Sequence, residues 1–125
     1  VVKAVFILCG DDKVCLISDS MRACGLTDGE YDLGGQKVVV EGRTATTVEN
    51  NALAGSVTTL ADCMRQAVKY GVSLPDALKA VTINPAKSVG IDAQIGSLSI
   101  GKRADILVLD KNLQLEKIIF NGKII

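Results

Sequence analysis

Asp19 is the residue of this sequence that is best placed to do chemistry. It follows closely after Val14-Cys15-Leu16-Ile17, an apolar run without alternation, which is the pattern of a parallel strand covered on both faces. A carboxylate just past the carboxyl end of such a strand stands where α/β sheets and barrels place their active sites. The alternative is that Asp19 only caps a turn together with Ser18 and Ser20, because these residue types commonly form turns.

A second candidate is the stretch Leu53-Ala54-Gly55-Ser56. Gly55 lets a ligand approach the backbone closely. Ser56 is a suitable N-cap for a helix that the apolar spacing predicts from Ser56 to Tyr70. Free N–H groups at a helix start can hold polar or anionic ligand groups. The alternative is an ordinary loop-to-helix junction, since every helix has such a start.

The residue types exclude several other kinds of site. The chain has no histidine, and its four cysteines form no C-x-x-C pair. A Ser-His-Asp or Cys-His arrangement is therefore impossible, and we expect no metal site built from this chain alone. The segment from Gly96 to Asp105 lacks the spacing of a phosphate loop. We expect Lys102 and Arg103 to be solvated turn residues and Asp105 to lie at the entry to a strand.

The composition argues against binding to nucleic acid and against a membrane-spanning segment. Lysine plus arginine and aspartate plus glutamate both number 14, and only four residues are aromatic, so nucleic-acid binding is poorly supported. No apolar run approaches the roughly 18 residues of a membrane span. We expect the cysteines to be reduced and buried, as in a cytoplasmic protein.

The coarse pattern of elements is that of an α/β unit followed by antiparallel strands. Local signals predict a helix that ends at Gly10, a β-hairpin around Gly42, three helices between Ser56 and Gly90, and strands over 104–110, 115–120 and 123–125. With 125 residues the chain is too short for a complete (β/α)₈ barrel of about 250 residues. Its start lacks Met, so we expect it to begin inside a longer protein.

Two sets of motifs carry a resemblance to a known family. Gly96-Ser97-Leu98 followed by Gly101-Lys102-x-Ala104-Asp105-Ile106-Leu107-Val108-Leu109-Asp110 resembles the C-terminal strand pattern of the amidohydrolase superfamily. The order Leu16-Ile17-Ser18-Asp19-Ser20-Met21, Gly25 to Gly35, Leu53-Ala54-Gly55-Ser56 and Asn84-Pro85-Ala86 is similar to N-acetylglucosamine-6-phosphate deacetylases. The resemblance covers the chain from about Val14 to its end.

The resemblance implies an α/β fold, namely the C-terminal part of a (β/α)₈ amidohydrolase barrel plus strands of a small β-sandwich domain. Residues 1–90 would supply the last barrel strand, an inserted hairpin and the closing helices, and residues 91–125 would supply the sandwich strands. It further implies Asp19 as the general acid/base, and Leu53, Ala54 and Gly55 as substrate-contacting residues. The substrate implied is N-acetylglucosamine 6-phosphate, which is hydrolysed to glucosamine 6-phosphate and acetate.

The resemblance also implies a divalent metal ion, zinc or similar, whose glutamate and histidine ligands mostly lie outside this chain, and a homodimer at full length. We therefore expect the isolated chain to be inactive. The sequence departs from the family pattern at Ser18 and Ser20, where many members carry threonine and alanine. Two alternatives stay open, another amidohydrolase that acts on a cyclic amide and a non-catalytic module that binds a partner chain.

Overall fold

The computed structural model describes residues 1–125 and divides them into two compact units. Unit 1 consists of Val1–Cys15 together with Ala67–Ile125, and unit 2 consists of Leu16–Gln66. Unit 2 contains both sequence-predicted sites, because Asp19 and residues 53–55 lie within it. None of the helices is long and apolar enough to cross a lipid bilayer.

Unit 2 is built on an antiparallel sheet of three strands in the order β1-β2-β3. The strands are β1 (Gly29–Leu33), β2 (Gln36–Glu41) and β3 (Thr44–Thr47). The predicted hairpin around Gly42 is confirmed, since β2 and β3 pair on either side of this glycine, whose φ is 58°. Strand β1 is an addition to the prediction.

The core of unit 2 lies on one face of this sheet. Val38 and Val40 are 0% and 2% exposed, because alternate residues of a strand point to the same face. The buried cluster around them comprises Met21, Ala23, Ala45 and Ala54, with Tyr31, Leu33 and Val57 packed against it. Met21 and Ala54 bring the two candidate site segments into one core.

Helix α2 (Leu60–Lys69) begins later than the sequence pattern predicts. Ser56 is not its N-cap, and the predicted start at Ser56 is wrong. Thr59 and Asp62 instead form a capping box: the Asp62 N–H donates to Thr59 Oγ1 at 3.2 Å, and the Thr59 N–H donates to Asp62 Oδ2 at 3.0 Å. Reciprocal bonds of this kind satisfy two otherwise unpaired donors at a helix start, so they outcompete a lone serine. Met64 is buried in the apolar stripe of α2, as predicted.

Three helices of unit 1 agree with their sequence signals. They are α1 (Val2–Cys9), α3 (Leu74–Val81) and α4 (Ile83–Ser88). Ser73 caps α3 by accepting from the Asp76 N–H, and Pro75 occupies the first turn, as predicted. Asn84, 4% exposed, donates from Nδ2 to the carbonyls of Asp11 and Val14 at 2.6 and 2.8 Å, and so joins α4 to the segment after α1.

The second sheet of unit 1 is antiparallel in the order β4-β5-β6. Its strands are β4 (Ile106–Leu109), β5 (Leu115–Phe120) and β6 (Lys123–Ile124). Asn121 and Gly122, with φ of 50° and 77°, form the tight turn that the sequence predicts between β5 and β6. Asp105 lies just before β4 and accepts the Asn121 N–H at 2.8 Å, which is the structural role expected for it.

Two further sequence-based expectations are wrong. Residues 14–17 belong to no strand, and Ile17 is 76% exposed, because a strand needs a hydrogen-bonded neighbour and none of the 125 residues supplies one there. The cysteines are free, but Cys9 and Cys15 are exposed and the other two are half-buried. The predicted domain boundary at residue 90 stays a prediction.

Candidate active site

The carboxylate of Asp19 lies on the surface of unit 2 on a constrained stretch of backbone. Asp19 is exposed and has a φ of 49°, a left-handed conformation that few residues other than glycine adopt. Such backbone persists only where the surrounding structure fixes it, and it is frequent at functional sites. The turn-capping alternative receives no support, since no hydrogen bond of the Asp19 carboxylate is seen.

The residues after Asp19 are paired with the residues after Gly55. Ser20 and Ser56 form a parallel bridge, and the Met21 N–H donates to the Ser56 carbonyl at 2.8 Å. Paired backbones lie about 4.8 Å apart. Asp19 and Gly55 each directly precede a bridged residue, so the pairing sets the first candidate segment beside the second.

The stretch Leu53-Ala54-Gly55 runs along the edge of the sheet. Leu53 bridges Thr46 in β3, and the Ala54 N–H donates to the Ala45 carbonyl at 2.9 Å. Ala54 is buried, whereas Leu53 is 82% exposed. Gly55 has a φ of 74° and is exposed. The segment therefore offers an apolar side chain and a bare stretch of backbone to a ligand.

Each candidate segment is anchored by one buried residue. Met21 and Ala54 lie in the same core cluster, and a Cβ added to Gly55 would meet Met21 Sδ at 3.4 Å. Because packed cores hold side chains in fixed positions, the exposed groups of both segments share one rigid support. The structure thus brings together all four residues that the sequence singles out: Asp19, Leu53, Ala54 and Gly55.

Asp62 is the centre of a polar network at the start of α2 that the sequence reasoning missed. Its carboxylate accepts from Arg43 Nη2 at 2.7 Å, from Arg65 Nη2, and from the Thr59 hydroxyl at 2.8 Å. Burial acts to raise the pKa of Asp62, but the bonds from Arg65 and Thr59 and the charge of Arg43 outweigh it, and the pKa falls well below its ordinary value. The T-x-x-D spacing of residues 59–62 was the available signal.

The network links the hairpin to the segment that follows Gly55. Arg43 belongs to the turn between β2 and β3, and Asp62 follows Ser56 by six residues. Ser56 Oγ and Thr58 Oγ1 share a hydrogen bond at 2.9 Å, and Thr58 Oγ1 also lies 3.8 Å from Cys63 Sγ. Residues 56–63 are thus held by side-chain bonds at both ends.

The residues of this chain do not by themselves fit a metal centre. There is no histidine, and no three cysteine, aspartate or glutamate side chains come together as possible ligands. A catalytic zinc ion takes three protein ligands. An exposed carboxylate such as that of Asp19 is a group that can accept or donate a proton.

Comparison with known sequences places these residues in a family. The sequence pattern of the amidohydrolase family matches residues 12–125. A putative N-acetylgalactosamine-6-phosphate deacetylase of Escherichia coli K12 is 34% identical over 117 residues, which are 93% of this chain and 70% of that protein. The N-acetylglucosamine-6-phosphate deacetylase of Bacillus subtilis is 37% identical over 123 residues, 98% of this chain and 31% of that enzyme.

A solved structure gives the same result for the fold. An aspartate-to-alanine mutant of the Mycobacterium smegmatis N-acetyl-D-glucosamine-6-phosphate deacetylase, in complex with N-acetyl-D-glucosamine-6-phosphate, superposes with a TM-score of 0.85 at 31% identity. The match covers 98% of this chain and 33% of that one, so the chain spans about a third of this relative. The likeness confirms the predicted fold class, the C-terminal part of an amidohydrolase barrel with strands of its small β-sandwich. The chain belongs to the amidohydrolase family.

Proposed function

We propose that this chain is the C-terminal segment of a metal-dependent deacetylase that converts N-acetylglucosamine 6-phosphate to glucosamine 6-phosphate and acetate. The observation that carries the proposal is the exposed Asp19 carboxylate, fixed beside Leu53-Ala54-Gly55, in a chain 31% identical to a deacetylase solved with this sugar phosphate. The chain spans 31% of the Bacillus subtilis relative, and the activity proposed is that of the whole enzyme.

In this reaction Asp19 acts as the general acid/base. Water adds to the acetyl carbonyl carbon, and a carboxylate oxygen of Asp19 accepts the proton that this water loses. Asp19 then donates the same proton to the amide nitrogen as the C–N bond breaks, so that a neutral amine leaves rather than an amide anion. General acid–base catalysis of this kind contributes about 10²- to 10⁴-fold to the rate.

The Leu53-Ala54-Gly55 stretch holds the substrate. The exposed Leu53 side chain offers apolar contact to the acetyl methyl group or a sugar face, and the open backbone at Gly55 lets the ligand approach within hydrogen-bonding distance. A site of this kind combines an apolar surface with a few fixed polar groups.

The remaining parts of the proposal concern groups outside the chain. A divalent metal, zinc or similar, would lower the pKa of the attacking water, and its ligands would come from residues beyond these 125. At full length the enzyme would be a cytoplasmic homodimer.

The test is kinetic. The protein expressed from the intact gene is assayed for acetate release with added zinc, and Asp19→Asn is compared with Asp12→Asn. Asp12 is an exposed carboxylate in the turn after α1, so its substitution changes the charge equally. We expect Asp19→Asn to lower kcat about 10²- to 10⁴-fold and Asp12→Asn to leave it unchanged. An Asp19→Asn enzyme within tenfold of the wild type contradicts the assignment.

The isolated 125-residue chain provides a second arm of this test. It lacks a set of metal ligands, so we expect no acetate release with any divalent ion. Turnover by the isolated chain that Asp19→Asn abolishes would show that no further residues are needed.

A second candidate substrate is N-acetylgalactosamine 6-phosphate, which differs from the first only at one sugar carbon. The observation that favours it is the 34% identity to two Escherichia coli proteins named for that substrate. The same assay decides between the two sugars through their ratio of kcat/KM.

A further inference from the structure

The Ser20 hydroxyl is tied across unit 2 to the segment that follows Gly55. Ser20 Oγ donates to the Thr58 carbonyl at 2.6 Å, a bond between residues 38 positions apart. It adds to a backbone link, the parallel bridge between Ser20 and Ser56, in which the Met21 N–H donates to the Ser56 carbonyl. The segment around Ser20 is thus bonded to the segment after Gly55 through the backbone of Met21 and through the side chain of Ser20.

Asp19, the residue before Ser20, has a backbone conformation that must be held in place by its surroundings. Its φ of 49° places it in a region that costs an aspartate conformational energy. Its carboxylate has no hydrogen bond of its own in the structure, so only the backbone fixes the point from which the side chain extends. Since the backbone of Asp19 is continuous with Ser20, a restraint on Ser20 also restrains the Cα of Asp19.

We propose that Ser20 is a positioning residue that holds Asp19 in its left-handed conformation beside Gly55 through the hydroxyl bond to the Thr58 carbonyl. The inference rests on the proposed function of Asp19.

The acceptor is a backbone carbonyl, so the bond can be removed only from the serine side. Ser20→Ala deletes the donor and keeps the backbone bond from the Met21 N–H to the Ser56 carbonyl. Ser20→Thr keeps the donor, and its extra methyl group has room because Ser20 is exposed. The matched control is Ser88→Ala, since the Ser88 hydroxyl donates to the Pro85 carbonyl at 2.8 Å at the end of α4. Ser88 belongs to unit 1, whereas both site segments belong to unit 2.

The enzyme expressed from the intact gene is measured in two ways, by steady-state kinetics and by hydrogen exchange of the Met21 amide. We expect Ser20→Ala to lower kcat roughly 3- to 10-fold, the effect of losing one hydrogen bond, with KM within twofold. Exchange of the Met21 amide should accelerate by a similar factor. Ser20→Thr should restore both quantities, and Ser88→Ala should change neither.

A double variant separates positioning from general stability. If Ser20 acts through Asp19, then Ser20→Ala should have no further effect on kcat in an Asp19→Asn background. Full additivity, or a Ser20→Ala enzyme with wild-type kcat and wild-type Met21 exchange, overturns the inference while leaving Asp19 as the acid/base. If Asp19→Asn is itself as active as the wild type, the proposed function fails and the inference fails with it.

Discussion

Asp62→Ala should release the start of helix α2. The Asp62 carboxylate has four donors: the Thr59 N–H and hydroxyl on Oδ2, and Arg43 and Arg65 on Oδ1. Its side chain is only 11% exposed, as against 19% for Arg65 and 71% for Arg43. The substitution removes the acceptor from all four donors at once.

The magnitude follows from how buried each contact is. Loss of the capping interaction costs about 1 kcal/mol. The half-buried, charge-assisted bond to Arg65 adds about 1.5 kcal/mol. The bond to Arg43 adds only about 0.3 kcal/mol, because exposed ion pairs are weak. The sum of about 3 kcal/mol corresponds to roughly 100-fold faster opening of the first turns of α2.

The assay is hydrogen exchange of the amides of residues 63–66. The control is Asp76→Ala, read at the amides of α3, because Asp76 also closes a serine cap but contacts no arginine there. Asp76→Ala should lower the free energy of opening of the first turns of α3 by less than about 1 kcal/mol, since the capping serine and its bond to the backbone remain.

The effect should depend on pH in a defined direction. The pKa of Asp62 is lowered in the folded protein by Arg65, Thr59 and Arg43 against the opposing effect of burial. The stability that its charge contributes is therefore full above the ordinary aspartate pKa of about 3.9, and it is lost as the pH falls through the lower folded value. The difference between wild type and Asp62→Ala should be larger at pH 6 than at pH 3. A loss below 1 kcal/mol at pH 6, or a difference that does not change with pH, would refute the reasoning.

Two further substitutions at glycines test the backbone. Gly96→Ala should lower the melting temperature far more than Gly101→Ala. Both glycines have φ near 90°, so both substitutions cost about 1–2 kcal/mol in backbone strain, but only the first would place a Cβ 3.0 Å from Ala86 Cβ. Equal melting temperatures of the two variants in a thermal scan would argue against this contact. Gly55→Ala should raise KM for the sugar phosphate roughly 3- to 10-fold with a smaller change in kcat. The reason is that Gly55 has a φ of 74°, which an alanine adopts only under strain, so the substrate-contacting segment is expected to shift. Steady-state kinetics with an unchanged KM would remove residues 53–55 from the substrate site.

The parts of the fold that the sequence predicts correctly have signals close together in the chain. The hairpin of β2 and β3 follows from Gly42 between two β-prone segments, and helix α3 follows from Ser73 and Pro75. Turn and cap chemistry acts over a few residues, so it can be read without knowing the partner elements.

One of the failures is of the opposite kind. The run over residues 14–17 has the composition of a buried strand, but whether it pairs depends on neighbours that no local pattern specifies. Strand β1 was missed although its signal is local, since Gly34-Gly35, with φ of 63° and 89°, forms a two-residue hairpin turn between β1 and β2. The start of α2 was misplaced because Thr59 and Asp62, and not Ser56, cap the helix. Part of the stabilisation of the Asp62 carboxylate comes from Arg43, 19 residues away in the sequence.

The candidate site was predicted as a set of residues but not as an arrangement. Asp19 and residues 53–55 could be chosen as candidates from motifs that the family shares. The left-handed backbone of Asp19 and the bond from Ser20 to Thr58 could not be anticipated, because they depend on contacts between distant segments.

The two bonds from Asn84 to the carbonyls of Asp11 and Val14 bear on the order of folding. Unit 1 is discontinuous, since residues 16–66 are inserted between its two stretches. The Asn84 bonds close a loop that contains the whole insertion, and the entropy cost of such a loop rises only with the logarithm of its length. The sheet of unit 2 joins neighbouring strands and has no such loop to close, so it can form early in folding. Once the sheet of unit 2 is ordered, it shortens the loop that the Asn84 bonds must close. The two hydrogen bonds from Asn84 should therefore be among the last contacts to form in folding and the first to be lost in unfolding.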